Sequence, residues 1–136
     1  MALFVWDDAK YSVGVREIDS QHKILVDILN NLYEAMQSGK SNEILGGIIL
    51  KLVNYTKTHF ATEERYFDRF GYPETASHKK EHEKFTDKVL AFKKDFDAGR
   101  VTMSVSITSF LKDWLASHIQ GIDKKYVSFF HSKGLN

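Results

Sequence analysis

Residues 52–67 read LVNYTKTHFATEERYF, and steps of three and four through them pick out Leu52, Tyr55, His59, Glu63 and Phe67. That is the 3.6-residue period of one helical face, so a histidine and a glutamate continue a row of core-facing apolar residues. Three other stretches behave the same way. His78 and His82 lead into Phe85 and Val89, Ile107, Leu111 and Trp114 lead into His118, and His22 stands three residues before Leu25. Five of the six histidines are therefore expected to point inward.

Around these stripes the punctuation marks out four helices. Gly39, Gly71 and Gly99 stand where helices commonly end, and Pro73 where one commonly starts. The predicted spans are 19–38, 41–70, 73–97 and 104–132, with Ser41 as an N-cap whose hydroxyl serves a first-turn amide. Residues 1–18 lack a helical period and are expected to form an ordered arm, with Phe4, Trp6 and Tyr11 packing against the helices. Short connections make neighbouring helices antiparallel. The expected fold is all-α: one domain over 1–136, an up-down-up-down four-helix bundle with an N-terminal arm.

Composition narrows the function. The chain has 136 residues, 43% hydrophobic and 13% aromatic, enough for one packed core. A net charge of +1 argues against a nucleic-acid partner. No apolar run reaches the ~18–20 residues of a membrane span, and MALFVWDDAK has no basic n-region of a signal peptide. A cytoplasmic monomer is expected. The absence of cysteine excludes disulfides, thiolate zinc sites, iron–sulfur clusters and CxxCH haem attachment. Any metal must rest on histidine and carboxylate, a donor set that suits iron better than magnesium or calcium.

A single inward histidine is ordinarily a hydrogen-bonded core residue. Five are harder to satisfy, because each unpaired buried imidazole nitrogen costs ~1–3 kcal/mol and their stripes carry almost no Ser, Asn or Gln. A metal accepts the lone pairs directly. In the predicted bundle His22, His78 and His82 lie near helix starts, and His59, Glu63, His118 and Asp123 in later halves, so all seven can meet near one end. Asp123 fits least well. Five residues after His118 it falls about 140° around a regular helix, and reaching the same centre requires a π-bulge, for which the Gly121 interval offers a place.

With these residues in order, the sequence resembles the hemerythrin family. Its pattern of an early His, then H-x3-E, H-x3-H and H-x4-D is filled by His22, by His59 and Glu63, by His78 and His82, and by His118 and Asp123. The opening Trp6-Asp7-Asp8, Tyr11-Ser12-Val13-Gly14 and Ile18-Asp19-Ser20-Gln21-His22 resembles the bacterial branch. The resemblance implies two non-haem iron ions with an oxo or hydroxo bridge. It places His78, His82 and His118 on one iron, His22 and His59 on the other, and Glu63 and Asp123 across both. It also implies an apolar O2 pocket from Leu25, Phe60, Trp114, Leu115 and Ile119. The implied activity is reversible O2 binding rather than catalysis, for storage or for delivery to an oxygen-consuming oxidase or monooxygenase.

Other readings compete. The same site could serve a di-iron redox enzyme, acting as oxidase or peroxidase or on nitric oxide, or an O2 or iron sensor. A more distant alternative is a zinc peptidase, since His78-Lys79-Lys80-Glu81-His82 matches H-x-x-E-H with Glu81 as base. That reading leaves the other five candidate ligands unexplained. His131 fits no ligand position and is expected at the surface or against the arm.

Overall fold

A computed structural model describes residues 3–99 and 105–136. Its elements are α1 (Asp8–Tyr11), α2 (Arg16–Gln37), α3 (Asn42–Phe70), α4 (Thr75–Asp97), α5 (Val105–Ser117), a π-helical turn (His118–Ile122), a 3-10 turn (Asp123–Tyr126) and α6 (Val127–Ser132). No strand occurs among the described residues. The last four elements form one continuous rod, so the molecule is a four-helix bundle in which α2 packs on α3 and α5, and α3 on α4. No described helix is long and apolar enough to cross a membrane.

The helix ends follow local chemistry. Ser41 caps α3, its side chain accepting from the Ile44 amide at 3.3 Å. Gly71 ends the same helix at φ +69°, a left-handed conformation that costs glycine little. The next helix begins at Thr75 rather than at Pro73, because the Tyr72 carbonyl accepts from both the amide and the hydroxyl of Thr75 and closes a turn first. The expected start of the last helix at 104 lies outside the described residues, as does the side chain of Ile107.

The arm departs from expectation in two ways. It contains the one-turn helix α1, and α2 starts at Arg16 instead of 19. Arg16 and Glu17 are exposed, so no apolar period marks this first turn. What orders it is the Asp19 carboxylate, which accepts from the Val13 amide at 2.8 Å and the Ser12 hydroxyl at 2.6 Å, while Val13, Val15 and Ile18 are buried. Farther out, Asn30 binds both backbone groups of Phe4 at 2.9 and 2.8 Å, and the Trp6 and Tyr11 rings lie 5.5 Å apart.

His131 fastens the far end of the chain to this arm by donating from Nε2 to the Gly14 carbonyl at 2.9 Å. Gly14 has φ +69°, and a Cβ there would lie 2.7 Å from that same Nε2. Gly14→Ala is therefore expected to destabilise by about 2 kcal/mol through backbone strain and the displaced hydrogen bond. Thermal melting checks this; a drop of roughly 5–10 °C is expected.

Candidate metal centre

All seven candidate ligands lie inside the bundle, each 3% exposed or less. α2 supplies His22, α3 supplies His59 and Glu63 one turn apart, and α4 supplies His78 and His82 one turn apart. Within α3 and α4 the spacing of four is what stacks each pair on one face. His118 and Asp123 are five apart and need something else. The π-helical turn from His118 to Ile122 supplies it, with the Asp123 amide reaching back to the His118 carbonyl. One extra residue in the turn rotates Asp123 onto the histidine face, and the 3-10 turn that follows tightens the rod again. Gly121 sits in the bulge, yet a Cβ there would meet nothing within 4 Å. Its contribution is a low preference for regular helix rather than space.

The polar atoms converge. Asp123 Oδ1 lies 2.9 Å from His78 Nε2 and 3.0 Å from His118 Nε2, and Asp123 Oδ2 lies 3.1 Å from His22 Nε2. Glu63 Oε1 lies 3.3 Å from His59 Nε2 and 3.2 Å from His82 Nε2. These are hydrogen-bond distances, yet Glu63 Oε1, both Asp123 oxygens and the Nε2 atoms of His22, His78, His82 and His118 have no hydrogen-bond partner. Two sets of ligand atoms fall within 4.8 Å of one another: Glu63, His78, His82, His118 and Asp123, and His22, His59, Glu63 and Asp123. Both carboxylates belong to both sets.

The surrounding hydrogen bonds fix the proton positions. The Thr62 hydroxyl donates its only proton to the Thr58 carbonyl at 3.1 Å, so its oxygen accepts from Gln21 Nε2 at 3.1 Å. Gln21 Oε1 is then left to accept from His59 Nδ1 at 2.8 Å. His82 Nδ1 likewise donates to Glu64 Oε2 at 2.9 Å. Tyr126 donates to Glu63 Oε2 at 2.6 Å. With their Nδ1 protons placed outward, His59 and His82 turn Nε2 lone pairs toward the one free oxygen of Glu63. With both imidazoles neutral, three acceptors facing one another at 3.2–3.3 Å repel, and either a proton shared with Glu63 or a metal cation among them relieves it.

Electrostatics follow the same plan. Burial and Asp123 push the Glu63 carboxyl up, but His59 and His82 outweigh them and hold it below the usual carboxylate range. Burial likewise works against Asp123, which His118, His22 and His78 hold well below that range. Burial lowers His82, but Glu63 and Glu64 bring it up to about 9. Burial, with Asp123 and Glu63 beside it, raises the Tyr126 phenol well above its ordinary value, which keeps it a donor. Tyr126→Phe leaves a buried carboxylate oxygen without its donor and is expected to cost about 1–3 kcal/mol, read as a lower melting temperature.

Aromatic rings close the walls. Phe60 stacks on the His82 ring at 3.7 Å and Trp114 on the His118 ring at 4.5 Å. Beyond them, toward the apolar half of the bundle, lies a cavity of about 20 Å³ lined by Leu25, Leu29, Leu52, Thr56, Phe60, Phe85, Leu111, Trp114 and Leu115. Of the five residues assigned to an O2 pocket, Leu25, Phe60, Trp114 and Leu115 line this cavity. Ile119 is fully buried in the π-turn and is not among its lining residues.

Sequence reasoning assigned no role to Gln21, Glu64, Tyr126 or Thr56. Gln21 and Glu64 adjoin His22 and Glu63 in the chain, so proximity was a signal; Tyr126 carried none, because its face depends on the π-turn. Glu81, the base of the peptidase alternative, is 38% exposed and pairs with Lys84 at 4.0 Å. Its neighbours His78 and His82 are committed to Asp123 and Glu63.

Comparison with known proteins agrees with this architecture. The family model described as the hemerythrin HHE cation binding domain matches residues 13–130. The bacteriohemerythrin of Methylococcus capsulatus is 36% identical over 126 residues, covering 93% of this chain and 95% of that protein. The bacteriohemerythrin of Clostridium acetobutylicum is 32% identical over 130 residues, covering 92% and 99%. A crystal structure of wild-type hemerythrin superposes with a TM-score of 0.90 at 33% identity, covering 93% of this chain and 97% of that one. Ligand spacing, bundle and relatives agree, and the chain belongs to the hemerythrin family.

Proposed function

We propose that this protein binds O2 reversibly at two non-haem iron ions with an oxo or hydroxo bridge, for storage or for delivery to an oxygen-consuming oxidase or monooxygenase. His78, His82 and His118 would hold one iron and His22 and His59 the other, with Glu63 and Asp123 available to both. The observation that carries this reading is the set of buried Nε2 and carboxylate atoms that converge without hydrogen bonds. Their chemistry suits iron: borderline imidazole donors joined by two anionic carboxylates. When bound, a ferrous pair supplies one electron per metal to O2.

The chain's own residues make the binding reversible in this reading. Phe60 and Trp114 lie flat on two of the histidines and keep water from them. The cavity beyond holds about 20 Å³, room for one water-sized guest and too small for an organic substrate. That favours a carrier over an oxidase acting on organic compounds. Gln21 and Glu64 hold His59 and His82 in the tautomer that presents Nε2 inward, and the Tyr126 hydroxyl donates a hydrogen bond to the outer oxygen of Glu63.

Anaerobic reconstitution with ferrous iron, followed by a metal count and optical spectra through cycles of air and vacuum, tests the proposal. Two irons per chain and an absorption band that appears in air and disappears under vacuum are expected. Irons that oxidise once and never recover would indicate a redox enzyme. Zinc uptake without iron would overturn the assignment.

A further inference from the structure

The outward nitrogens of two proposed ligands meet partners of different charge. On the side of the first iron, His82 Nδ1 donates to the Glu64 carboxylate at 2.9 Å. On the side of the second, His59 Nδ1 donates to the Gln21 amide oxygen at 2.8 Å. His22 Nδ1 and His118 Nδ1 have no hydrogen-bond partner, so neither offsets this difference. Geometrically the two pairs are equivalent; electrostatically they are not.

We propose that Glu64 is a positioning residue that sets the reduction potential of the iron pair through His82, whereas Gln21 only orients His59. The proposal rests on the iron reading above. A carboxylate acceptor draws the Nδ1 proton toward itself and leaves negative charge on the imidazole, which makes Nε2 a stronger donor. A stronger, more anionic donor favours the ferric over the ferrous state. An amide oxygen fixes the same tautomer without adding charge.

The surroundings of His82 preserve the effect. Phe60 covers one stretch of the ring at 3.7 Å with an interplanar angle of 5°, and Phe67 stacks at 6.5 Å, so charge on the imidazole is poorly screened. Glu64 itself is 30% exposed and lines an open surface groove with His82, Phe60 and Glu83. Water therefore reaches the carboxylate far more than the ring it polarises, which is 2% exposed. The shift is moderated by that exposure and is set at about tenfold in the one-electron equilibrium.

The step that reads it is one-electron oxidation of the reduced protein by ferricyanide: the iron pair loses one electron and ferricyanide becomes ferrocyanide. Glu64→Gln keeps an oxygen that accepts from His82 and removes the charge. It is expected to make this oxidation about tenfold less favourable, a rise of ~59 mV in midpoint potential. Gln21→Glu adds the charge on the other side and is expected to lower the midpoint by a similar amount. The double variant, which exchanges the two partners, is expected to return close to the wild-type value. A structural role alone would change melting temperature and leave the potential in place.

Zinc affinity, measured by chelator competition, supplies a redox-silent readout. Glu64→Ala removes the acceptor and is expected to weaken zinc binding by roughly 10–100-fold, with Glu64→Gln in between. If wild type shows an iron couple and neither charge variant moves its midpoint, the proposal is wrong and the iron reading stands. If wild type shows no iron couple at all, both fall together. Should Glu64→Gln fail to load, Gln21→Glu carries the same test, and an unchanged midpoint there overturns the proposal.

Discussion

Stripping the metal from this protein with a chelator is expected to lower its melting temperature by on the order of 10–20 °C. A ligand at 1,000 times its dissociation constant stabilises the folded state by about 4 kcal/mol, and each kcal/mol corresponds to a few degrees in a domain of this size. The structural reason lies in the centre of the bundle. Glu63 Oε1 faces two imidazole nitrogens at 3.2–3.3 Å and Asp123 faces three at 2.9–3.1 Å, without hydrogen bonds among them. A bound cation would give these facing atoms a common partner and remove that cost.

The same comparison has a definite pH dependence. In the stripped protein burial lowers His82 and His22, but neighbouring carboxylates raise both above the ordinary histidine value, His82 to about 9. A raised histidine contributes stability that is complete below about pH 6.5 and disappears as pH climbs through its folded value. His59 is lowered by burial and acts in the opposite direction, its cost fading above about 6.5. Glu63 and Asp123, held low, contribute stability that is lost only on acidification below about pH 4. Between pH 7 and 9 the histidine most affected is His82, so the stripped protein is expected to melt lower. Iron binding competes with protons and tightens over that range. Melting curves of both forms at pH 7 and pH 9 check this: the gap should widen, and a gap that narrows would contradict the assignment of His82.

His118→Ala is expected to abolish stable iron binding, whereas His131→Ala leaves iron content unchanged. Both substitutions remove an imidazole from the last quarter of the chain, and only the surroundings differ. His118 Nε2 lies 3.0 Å from Asp123 Oδ1 in a buried cluster, and its ring supports Trp114 at the cavity wall. On the proposed assignment, removing it takes a donor from one iron and a support from the cavity wall. His131 is exposed and holds Gly14, so its loss costs about 1 kcal/mol of stability and no metal. Iron analysis after anaerobic reconstitution, with melting temperatures for both variants, separates the two. Equal iron content in His118→Ala and His131→Ala would undo the ligand assignment.

The amino-acid pattern was informative wherever chemistry repeats at helical spacing. The stripes through His59 and Glu63 and through His78 and His82 place their side chains without knowledge of any neighbour, because four residues along an α-helix return to one face. Ser41 and Gly71 announce their helix ends through backbone chemistry that acts within a few residues. Asp123 shows the limit of this reasoning. On a regular helix it belongs to another face; the need for a bulge and the Gly121 interval as its place could be stated from the sequence, and the π-turn from His118 to Ile122 lies there.

What the sequence by itself determined was the all-α bundle and the inward rows of histidine and carboxylate, since both follow from local period and composition. The tertiary structure decided the rest. It alone shows that Gln21 reaches His59 and Tyr126 reaches Glu63, partners 38 and 63 positions apart. It also places Thr56 in the cavity wall and gives His82 an anionic support where His59 has a neutral one. These are long-range pairings and exclusions of volume, set by how four faces interlock, and no helical period encodes them.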